Sequence, residues 1–455
     1  MITIKDLWKH QRETVKLRNE SDIVADFSDP GTGKTRGHLF AHATHANSKR
    51  LMVLCPKTLM QAAWGDELDT TDLGMSYVLG YAENWEHAIK AKSDVFITNV
   101  DGVKRLAKMP PAWFKDFSGL VIDESTKFKH RTSDRSKAAA AIAPKFKERV
   151  IMTGTPNPKS VTELWHQIFL LDGGARLGKN FWKFRAATQI PEQVGPRPEH
   201  LKWMDKPGIE ETVFYLLRDI VIRHPFSVMP VPPNYVRHIK YHLPKKLMAQ
   251  YLEMEDSALL QLEDKAISSV HAAALRQKLL QIASGAIYHD REGGYTTLDT
   301  GRYEMVLDLV EERKHSLVFF MWHHQKDELV KEATKREIEF AVLDGKTSDK
   351  RRGEIKNEFQ DGKYQVLFMH PETGSHGLTL TRAKSAILTS PTYKADEFEQ
   401  MIKRIQRGGQ TERTEMLCVE GAGTVEGQIY ARTEGERGRM DDFRKLLVDA
   451  RNGRG

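Results

Sequence analysis

Eight consecutive residues, Ser28-Asp29-Pro30-Gly31-Thr32-Gly33-Lys34-Thr35, combine two glycines, a lysine and a terminal hydroxyl in an order suited to holding phosphate. Gly31 and Gly33 let backbone N–H groups turn toward phosphate oxygens, and a helix starting behind them adds the partial positive charge of its N-terminus. Lys34 would reach the β- and γ-phosphates of ATP, and the Thr35 hydroxyl would ligate Mg²⁺. Gly31, Thr32, Gly33, Lys34 and Thr35 are therefore cofactor-binding candidates. The strict pattern has glycine where this chain has Ser28, so alone the stretch supports phosphate binding and leaves an ordinary Gly-Lys-Thr turn open.

A second chemical group stands 89 residues beyond Lys34, where the apolar run Leu120-Val121-Ile122 ends in Asp123-Glu124-Ser125. An acidic pair closing a strand of the same sheet suits Mg²⁺-assisted nucleotide hydrolysis. Asp123 would hold the metal through water, and Glu124 would orient the attacking water. Two acids capping the next helix is the plainer alternative. Gln11 offers a donor and an acceptor to an adenine edge, or is a surface helix residue. Thr153-Gly154-Thr155-Pro156, small hydroxyl residues on a turn after another apolar run, suit a relay between the nucleotide and a second ligand.

These groups need a scaffold, and the spacing of apolar runs indicates one. Ile23-Val24-Ala25, Leu51 to Cys55, Val95 to Ile97 and Leu120 to Ile122 are uninterrupted, as strands of a parallel sheet covered on both faces must be, and Arg149 to Met152 reads as another strand. Arg36 to Ala46 and Leu164 to Leu171 read as helices. Lys57-Thr58 and Thr98-Asn99 close two strands where open α/β sheets bind ligands, and their side chains suit backbone phosphates of nucleic acid.

Together Gln11, Asp29 to Thr35, Cys55-Pro56 with Trp64 and Glu67, Asp123-Glu124-Ser125 and Thr153 to Pro156 resemble the motifs of superfamily 2 helicases, the Swi/Snf-type DNA translocases in particular. The resemblance covers essentially the whole chain. Leu164-Trp165 through Leu171-Asp172-Gly173-Gly174 is similar to compact versions carried by bacteriophages. Phe181-Trp182-Lys183-Phe184-Arg185 interleaves rings with bases and serves either as core or as a stacking surface.

The second half repeats the strand-and-loop pattern, in Ser316 to Phe320, Phe340 to Leu343 and Gln365 to Met369, after a helical stretch from Pro244 to about Ala283. Lys346-Thr347, beside Lys350-Arg351-Arg352, forms a basic cluster, or the solvated start of a helix. Thr373, Ser375, His376 and Gly377 lie in a glycine- and hydroxyl-rich loop able to touch phosphate and DNA. The family usually has Asn-Leu where this chain has Thr379-Leu380. Gln400 through Gln410 is close to the Swi/Snf version of its motif. Arg404 and Arg407, three apart on one expected helical face, suit a γ-phosphate held by the opposite lobe.

The expected fold is thus α/β, two RecA-like lobes with parallel sheets plus helical insertions. Residues 1–157 would form lobe 1 with the ATP site, 158–235 a helical insertion and linker, 236–290 a helical protrusion of lobe 2, and 291–455 lobe 2 with a C-terminal helix from Met440 to Ala450. Lys34, Asp123, Glu124, Arg404 and Arg407 are the catalytic candidates, and Thr35 and Asp123 the metal ligands. Lys57, Thr58, Thr98, Asn99, Lys346, Thr347, Thr373, Ser375 and His376 are the nucleic-acid contacts. Thr153, Thr155, Gly377 and Gln400 are the coupling residues.

Across 455 residues a net charge of +7 favours a polyanionic partner. No apolar run approaches bilayer length, no signal peptide is read at Met1 to Asp6, and the two cysteines read as reduced core residues, so the expected location is cytoplasmic (host bacterial cytoplasm if phage-encoded). No other metal site is expected, because the histidine pairs lack cysteine or acidic partners at ligand spacing. The resemblance implies an ATP- and Mg²⁺-dependent motor on duplex or branched DNA, in replication, recombination or repair. It implies translocation without unwinding, and no wedge hairpin is evident. A nucleotide-gated clamp and an RNA-directed helicase are the alternatives.

Overall fold

A computed structural model describes residues 1–45, 48–157, 160–193, 201–263, 269–289, 294–371 and 380–435. Its described residues form two compact units, residues 1–230 and 231–435. The coupling residue Gly377, the contacts Thr373, Ser375 and His376, Thr379 and the Met440 to Ala450 helix lie outside the described residues.

The first unit is built on a seven-stranded sheet with the order β3-β4-β2-β5-β6-β1-β9, every neighbouring pair parallel. Its strands are β1 (Ile23–Asp26), β2 (Arg50–Cys55), β3 (Tyr77–Gly80), β4 (Val95–Asn99), β5 (Phe117–Asp123), β6 (Glu148–Met152) and β9 (Val221–Ile222). The uninterrupted apolar runs are explained by burial on both faces. Met52 and Leu54 pack in one cluster with Phe96, Leu120, Ile122 and Ile151. Leu51, Val53 and Cys55 point the other way and pack with Val95, Ile97, Val121 and Val150. Cys55 is buried and free, as expected.

Residues 158–235 hold the expected Thr162–Asp172 helix, but also three strands that the sequence did not announce. β7 (Gln189–Gln193) and β8 (Leu201–Asp205) pair antiparallel as a hairpin. The hairpin was hidden because Pro191 and the exposed polar residues around it give no alternating pattern. β9 is only two residues long and adds to the edge of the main sheet beside β1.

The second unit carries a six-stranded parallel sheet, β10-β17-β16-β13-β15-β14. These are β10 (Asn234–Tyr241), β13 (Ser316–Phe319), β14 (Phe340–Leu343), β15 (Val366–Met369), β16 (Ser385–Leu388) and β17 (Thr414–Gly421). Alternate residues again divide between two clusters, Leu317, Phe319, Leu367 and Cys418 on one side and Val318, Phe368, Ile387 and Val419 on the other. A short antiparallel pair, β11 (Ala286–Tyr288) and β12 (Tyr295–Thr297), follows the Lys245–Glu263 and Ser269–Ala283 helices. The chain is α/β with two parallel sheets and helices, as its apolar pattern indicated.

Candidate nucleotide-binding site

β1 delivers the chain to the phosphate loop, and helix α2 (Lys34–Thr44) leaves it. Gly31 and Gly33 adopt φ of 86° and 76°, a left-handed region where a side chain is strained, so glycine is needed at both. At Gly33 a Cβ would also stand 2.4 Å from Gln11 Nε2. That contact defines the role of Gln11 within this unit. It is 2% exposed, its Nε2 donates to the Gly33 carbonyl at 3.1 Å, and its Oε1 accepts from the Trp8 N–H at 3.0 Å. His10 sits alongside, its Nε2 2.8 Å from the Thr32 carbonyl. Lys34 curls back over the loop, donating to the carbonyls of Ser28 at 2.6 Å and Asp29 at 3.2 Å.

Ser28 departs from the glycine pattern for a visible reason. Its side chain is fully buried and its Oγ accepts from the His224 backbone N–H at 2.9 Å. Asp29 is tied to the same segment three times over. Its N–H donates to the His224 carbonyl at 3.0 Å, and its two carboxylate oxygens accept from Arg223 Nη2 at 2.9 Å and the Phe226 N–H at 2.8 Å. The phosphate loop is therefore braced by Arg223, His224 and Phe226, which follow β9. Sequence reasoning missed all three. The available signal was the carboxylate itself, since a buried acid needs polar partners.

Two carboxylates close strands on either side of β6. Asp26 and Asp123 are both in register with Met152, so they sit at one level at the carboxyl edge of the sheet, and the Lys34 charge acts on both. They differ electrostatically. Burial would raise Asp26, but a 2.9 Å hydrogen bond to His38 Nε2 and the charges of His38 and Lys34 hold its carboxyl well below the usual range. His38 itself is pushed down by burial, with Asp26 pulling the other way. At Asp123 burial wins and the carboxyl is raised, although Trp64 Nε1 donates to Oδ2 and the Glu124 N–H to Oδ1, both at 3.0 Å, and Lys34 lies near. A buried carboxylate whose surroundings under-compensate its charge is a fitting ligand for a hard cation. Mg²⁺ bound through one or two carboxylates plus substrate phosphates needs no dedicated cage, and among the described residues no group of three or more His, Cys, Asp or Glu forms one.

Glu124 follows with φ 53° and ψ 54°, a left-handed conformation that costs a residue bearing a Cβ. It turns the chain sharply, so that Ser125 points inward. There the Ser125 hydroxyl donates to Gln167 Oε1 at 2.6 Å, and Gln167 Nε2 donates to the carbonyls of Pro156 at 2.7 Å and Glu163 at 2.9 Å. Gln167 joins the acidic motif to the Thr153–Pro156 turn, a role that the sequence reading did not give it. Thr153 and Thr155 are buried; the Thr153 N–H donates to the Asp26 carbonyl at 3.0 Å and the Thr155 N–H to Thr153 Oγ1 at 3.3 Å. Gly154 lies against the phosphate loop, where an added Cβ would stand 2.6 Å from Pro30 Cδ. Gln11, Gly31 to Thr35, Asp123, Glu124, Thr153 and Thr155 are thus held by one connected set of elements in the first unit.

The expected nucleic-acid contacts fare unevenly. The Lys57 ammonium lies 5.6 Å from the Tyr81 ring centroid, and Thr58 is half-buried. Thr98 is fully buried, its hydroxyl donating to the Gly80 carbonyl at 2.8 Å, which corrects its assignment as an outward contact. Strand alternation turned it into the layer between sheet and turn. Asn99 Oδ1 accepts from the N–H groups of Asp101 and Gly102, closing that turn.

In the second unit Lys346 is exposed, whereas Thr347 is drawn into the turn by its contacts with Asp344. Arg351 pairs with Glu354 and Glu358 at 3.1 Å each, which reduces the basic cluster. Gln400 and Arg404 lie on the Ala395–Ile405 helix, Arg404 5% exposed. Arg407 lies beyond the helix end and is half-buried, so the expected common helical face does not exist. Gln410 ends the helix, its Nε2 donating to the carbonyls of Ile405, Thr381 and Ala383 at 2.9–3.3 Å.

Residues 9–287 match the family model for the SNF2-related domain, and residues 301–409 that for the helicase conserved C-terminal domain. A protein designated p41 from Acyrthosiphon pisum secondary endosymbiont phage 1 is 29% identical over 399 residues, 82% of this chain and 83% of its own. Protein CHROMATIN REMODELING 24 of Arabidopsis thaliana is 22% identical across 93% of this chain, which spans only 45% of that relative's length. A solved SWI2/SNF2 ATPase core of Sulfolobus solfataricus in complex with dsDNA aligns at 18% identity and a TM-score of 0.44, covering 95% of this chain and 92% of its own.

Proposed function

The chain belongs to the SNF2-related family of helicase-type ATPases, and on that premise we propose that it is a DNA-dependent motor coupling ATP hydrolysis to movement along duplex or branched DNA. The observation that carries the reading is the convergence of the phosphate loop, Lys34 and the raised Asp123 carboxyl at one edge of one sheet. Lys34, now resting on the Ser28 and Asp29 carbonyls, swings onto the β- and γ-phosphates when ATP arrives. The loop N–H groups hold the phosphates, and Gln11 exchanges a backbone partner for the adenine edge. Thr35 and Asp123 would hold Mg²⁺, which would neutralise phosphate charge. Glu124, held on its strained turn, orients the attacking water. Thr153 and Thr155 report the state of the loop through Gly154 and Gln167.

The same reading gives Arg404 and Arg407 of the second unit the γ-phosphate, supported by motif order and by the Gln400-to-Gln410 wording rather than by a shared helical face. Lys57, Thr58, Asn99, Lys346 and Thr347, with Thr373, Ser375 and His376, take DNA mainly by its phosphates, and Gly377 and Gln400 couple that contact to the nucleotide. Binding is then largely sequence-independent and salt-sensitive. A role in replication, recombination or repair within a host bacterial cytoplasm fits the likeness to a phage protein. No helix among the described residues is long and apolar enough to cross a membrane.

The test is ATP turnover with and without duplex DNA. Stimulation by DNA that disappears in Lys34→Ala supports the motor, and turnover unaffected by DNA, or full activity in Lys34→Ala, sinks it. Arg407→Ala is expected to bind ATP but lose the stimulated turnover. Comparing forks, junctions, linear duplex, single strands and RNA then identifies the track.

A further inference from the structure

The Phe181–Thr188 helix and the hairpin strand β8, with Arg131 from the turn before the Asp134–Ile142 helix, carry a ladder of alternating rings and cations that the motor reading leaves unused. The Arg131 guanidinium lies 4.9 Å from the Phe181 centroid and 5.0 Å from the Trp182 centroid. Arg185 lies 4.5 Å from Trp182 and 4.0 Å from Trp203, so it joins the two indoles. These are contacts within cation–π range, and they hold the guanidinium planes without consuming their N–H donors. Among the described residues neither Arg131 nor Arg185 has an ion pair or a side-chain hydrogen bond. Neighbouring carboxylates are engaged elsewhere. Glu163 accepts from Lys129 at 2.6 Å, and Asp205 from the Ser160 hydroxyl at 2.7 Å and the Val161 N–H at 2.9 Å.

The surface is also unusually apolar for one so basic. Trp182 is 55% exposed, and Ile190, Leu201 and Met204 of the hairpin are 48%, 43% and 39% exposed. Lys183 and Lys202 stand exposed beside them. A pocket of about 360 Å³ adjoins the ladder, sharing Arg131 and Phe181 with it; Lys129 and Trp165 also line it, as does Glu163, whose carboxylate accepts from Lys129. Donors without acceptors call for an anion, and the exposed part of Trp182 beside them calls for a flat apolar group. Paired bases hide their faces within the duplex stack, whereas an unpaired strand offers phosphates and open base faces together.

We propose that Arg131, Trp182, Arg185 and Trp203 form a binding site for single-stranded DNA on the first unit. The two guanidiniums take backbone phosphates, the indoles stack on bases, and the adjoining pocket has room for one base turned out of line. The proposal rests on the DNA-directed reading above and deepens it, because a motor with such a site selects DNA that carries an unpaired segment.

The experiment measures anisotropy of a labelled oligo-dT strand and of a labelled blunt duplex on the full chain without nucleotide. Trp182→Ala is expected to weaken single-strand binding about ten-fold, the scale of a lost base–aromatic stack, and Arg185→Ala, which removes a phosphate contact and the cation joining the two indoles, by a similar factor. Duplex binding and ATP turnover without DNA are expected to stay at wild-type level, and Trp182→Phe to recover most of the strand binding. Wild-type strand binding in both alanine variants overturns the site, and so does an equal loss on both DNAs. Because binding is read without ATP, failure of the motor reading shows separately, as absent turnover with strand binding intact.

Discussion

Ser125 and Gln167 stand 42 residues apart in the chain and meet in the interior of the first unit, the serine hydroxyl donating to the glutamine at 2.6 Å. Through Gln167 the acidic motif is bonded to the Pro156 carbonyl, at the end of the turn that presses on the phosphate loop. Leucine at position 167 would leave a buried hydroxyl and a carbonyl without partners, a cost of about 1–3 kcal/mol. Gln167→Leu is expected to lower kcat for DNA-stimulated ATP turnover about ten-fold with KM for ATP nearly unchanged. Gln167→Glu, which sets a buried carboxylate against the Pro156 and Glu163 carbonyl oxygens, is expected to fall at least as far. A variant with wild-type kcat removes Gln167 from the coupling path.

Gly154 tests the other end of that path. A methyl at this position falls 2.6 Å and 2.8 Å from ring carbons of Pro30, which cannot swing aside as a flexible side chain would. Gly154→Ala is expected to push the phosphate loop out of place at about 1–3 kcal/mol. The readout is nucleotide affinity by titration calorimetry, expected to weaken while the far-ultraviolet circular dichroism stays unchanged.

Arg223 and Asp29 form a pair in which both side chains are nearly buried, 5% and 10% exposed. Removing only the cation strands a carboxylate in the interior, at about 3–5 kcal/mol. Arg223→Ala is expected to lower the denaturant midpoint markedly, and the double change with Asp29→Asn to recover part of the loss. Additive losses would show that the pair is not coupled.

His324 makes the second unit acid-sensitive. It is fully buried among Tyr288, Tyr295 and Tyr303, with Ser284 Oγ 3.2 Å from its Nε2 and Tyr288 OH 3.1 Å from its Nδ1. Burial pushes it down to about 4, helped by the Arg302 charge and opposed by the Ser284 carbonyl and by Asp327. The unfolded chain takes up this proton near the ordinary value of 6.5. The contribution of neutral His324 is therefore fully present above about 6.5 and is lost as pH falls from there through about 4, at up to about 1.4 kcal/mol per pH unit. Unfolding midpoints across that window should drop, and His324→Asn should flatten the drop.

Legibility in the sequence followed burial. Leu51 to Cys55 and Leu120 to Ile122 were readable as strands because both faces are covered, so every residue is apolar. β10 was not, because it lies at a sheet edge, and its exposed Arg237, His238 and Lys240 break both an apolar run and a clean alternation. β9 offers two residues, too few for any period. The phosphate loop, Asp123 and Glu124 were visible because their chemistry is local, carried by neighbours in sequence. Arg223 and His224 were invisible because they act from 194 and 196 residues away. Gln167 did leave a trace, a lone amide in the apolar run from Leu164 to Leu171. Arg407 misled because a spacing of three implies a shared face only while the helix lasts.

The late arrival of Arg223 and Phe226 has a consequence for how the protein is made. A ribosome completes Ser28 to Thr35 early, but the partners of Asp29 emerge almost two hundred residues afterwards. Until then the Asp29 carboxylate lacks the Arg223 guanidinium and the Phe226 N–H that hold it in the folded unit. The settled position of the phosphate loop therefore waits on the segment after β9, the strand that lies beside β1.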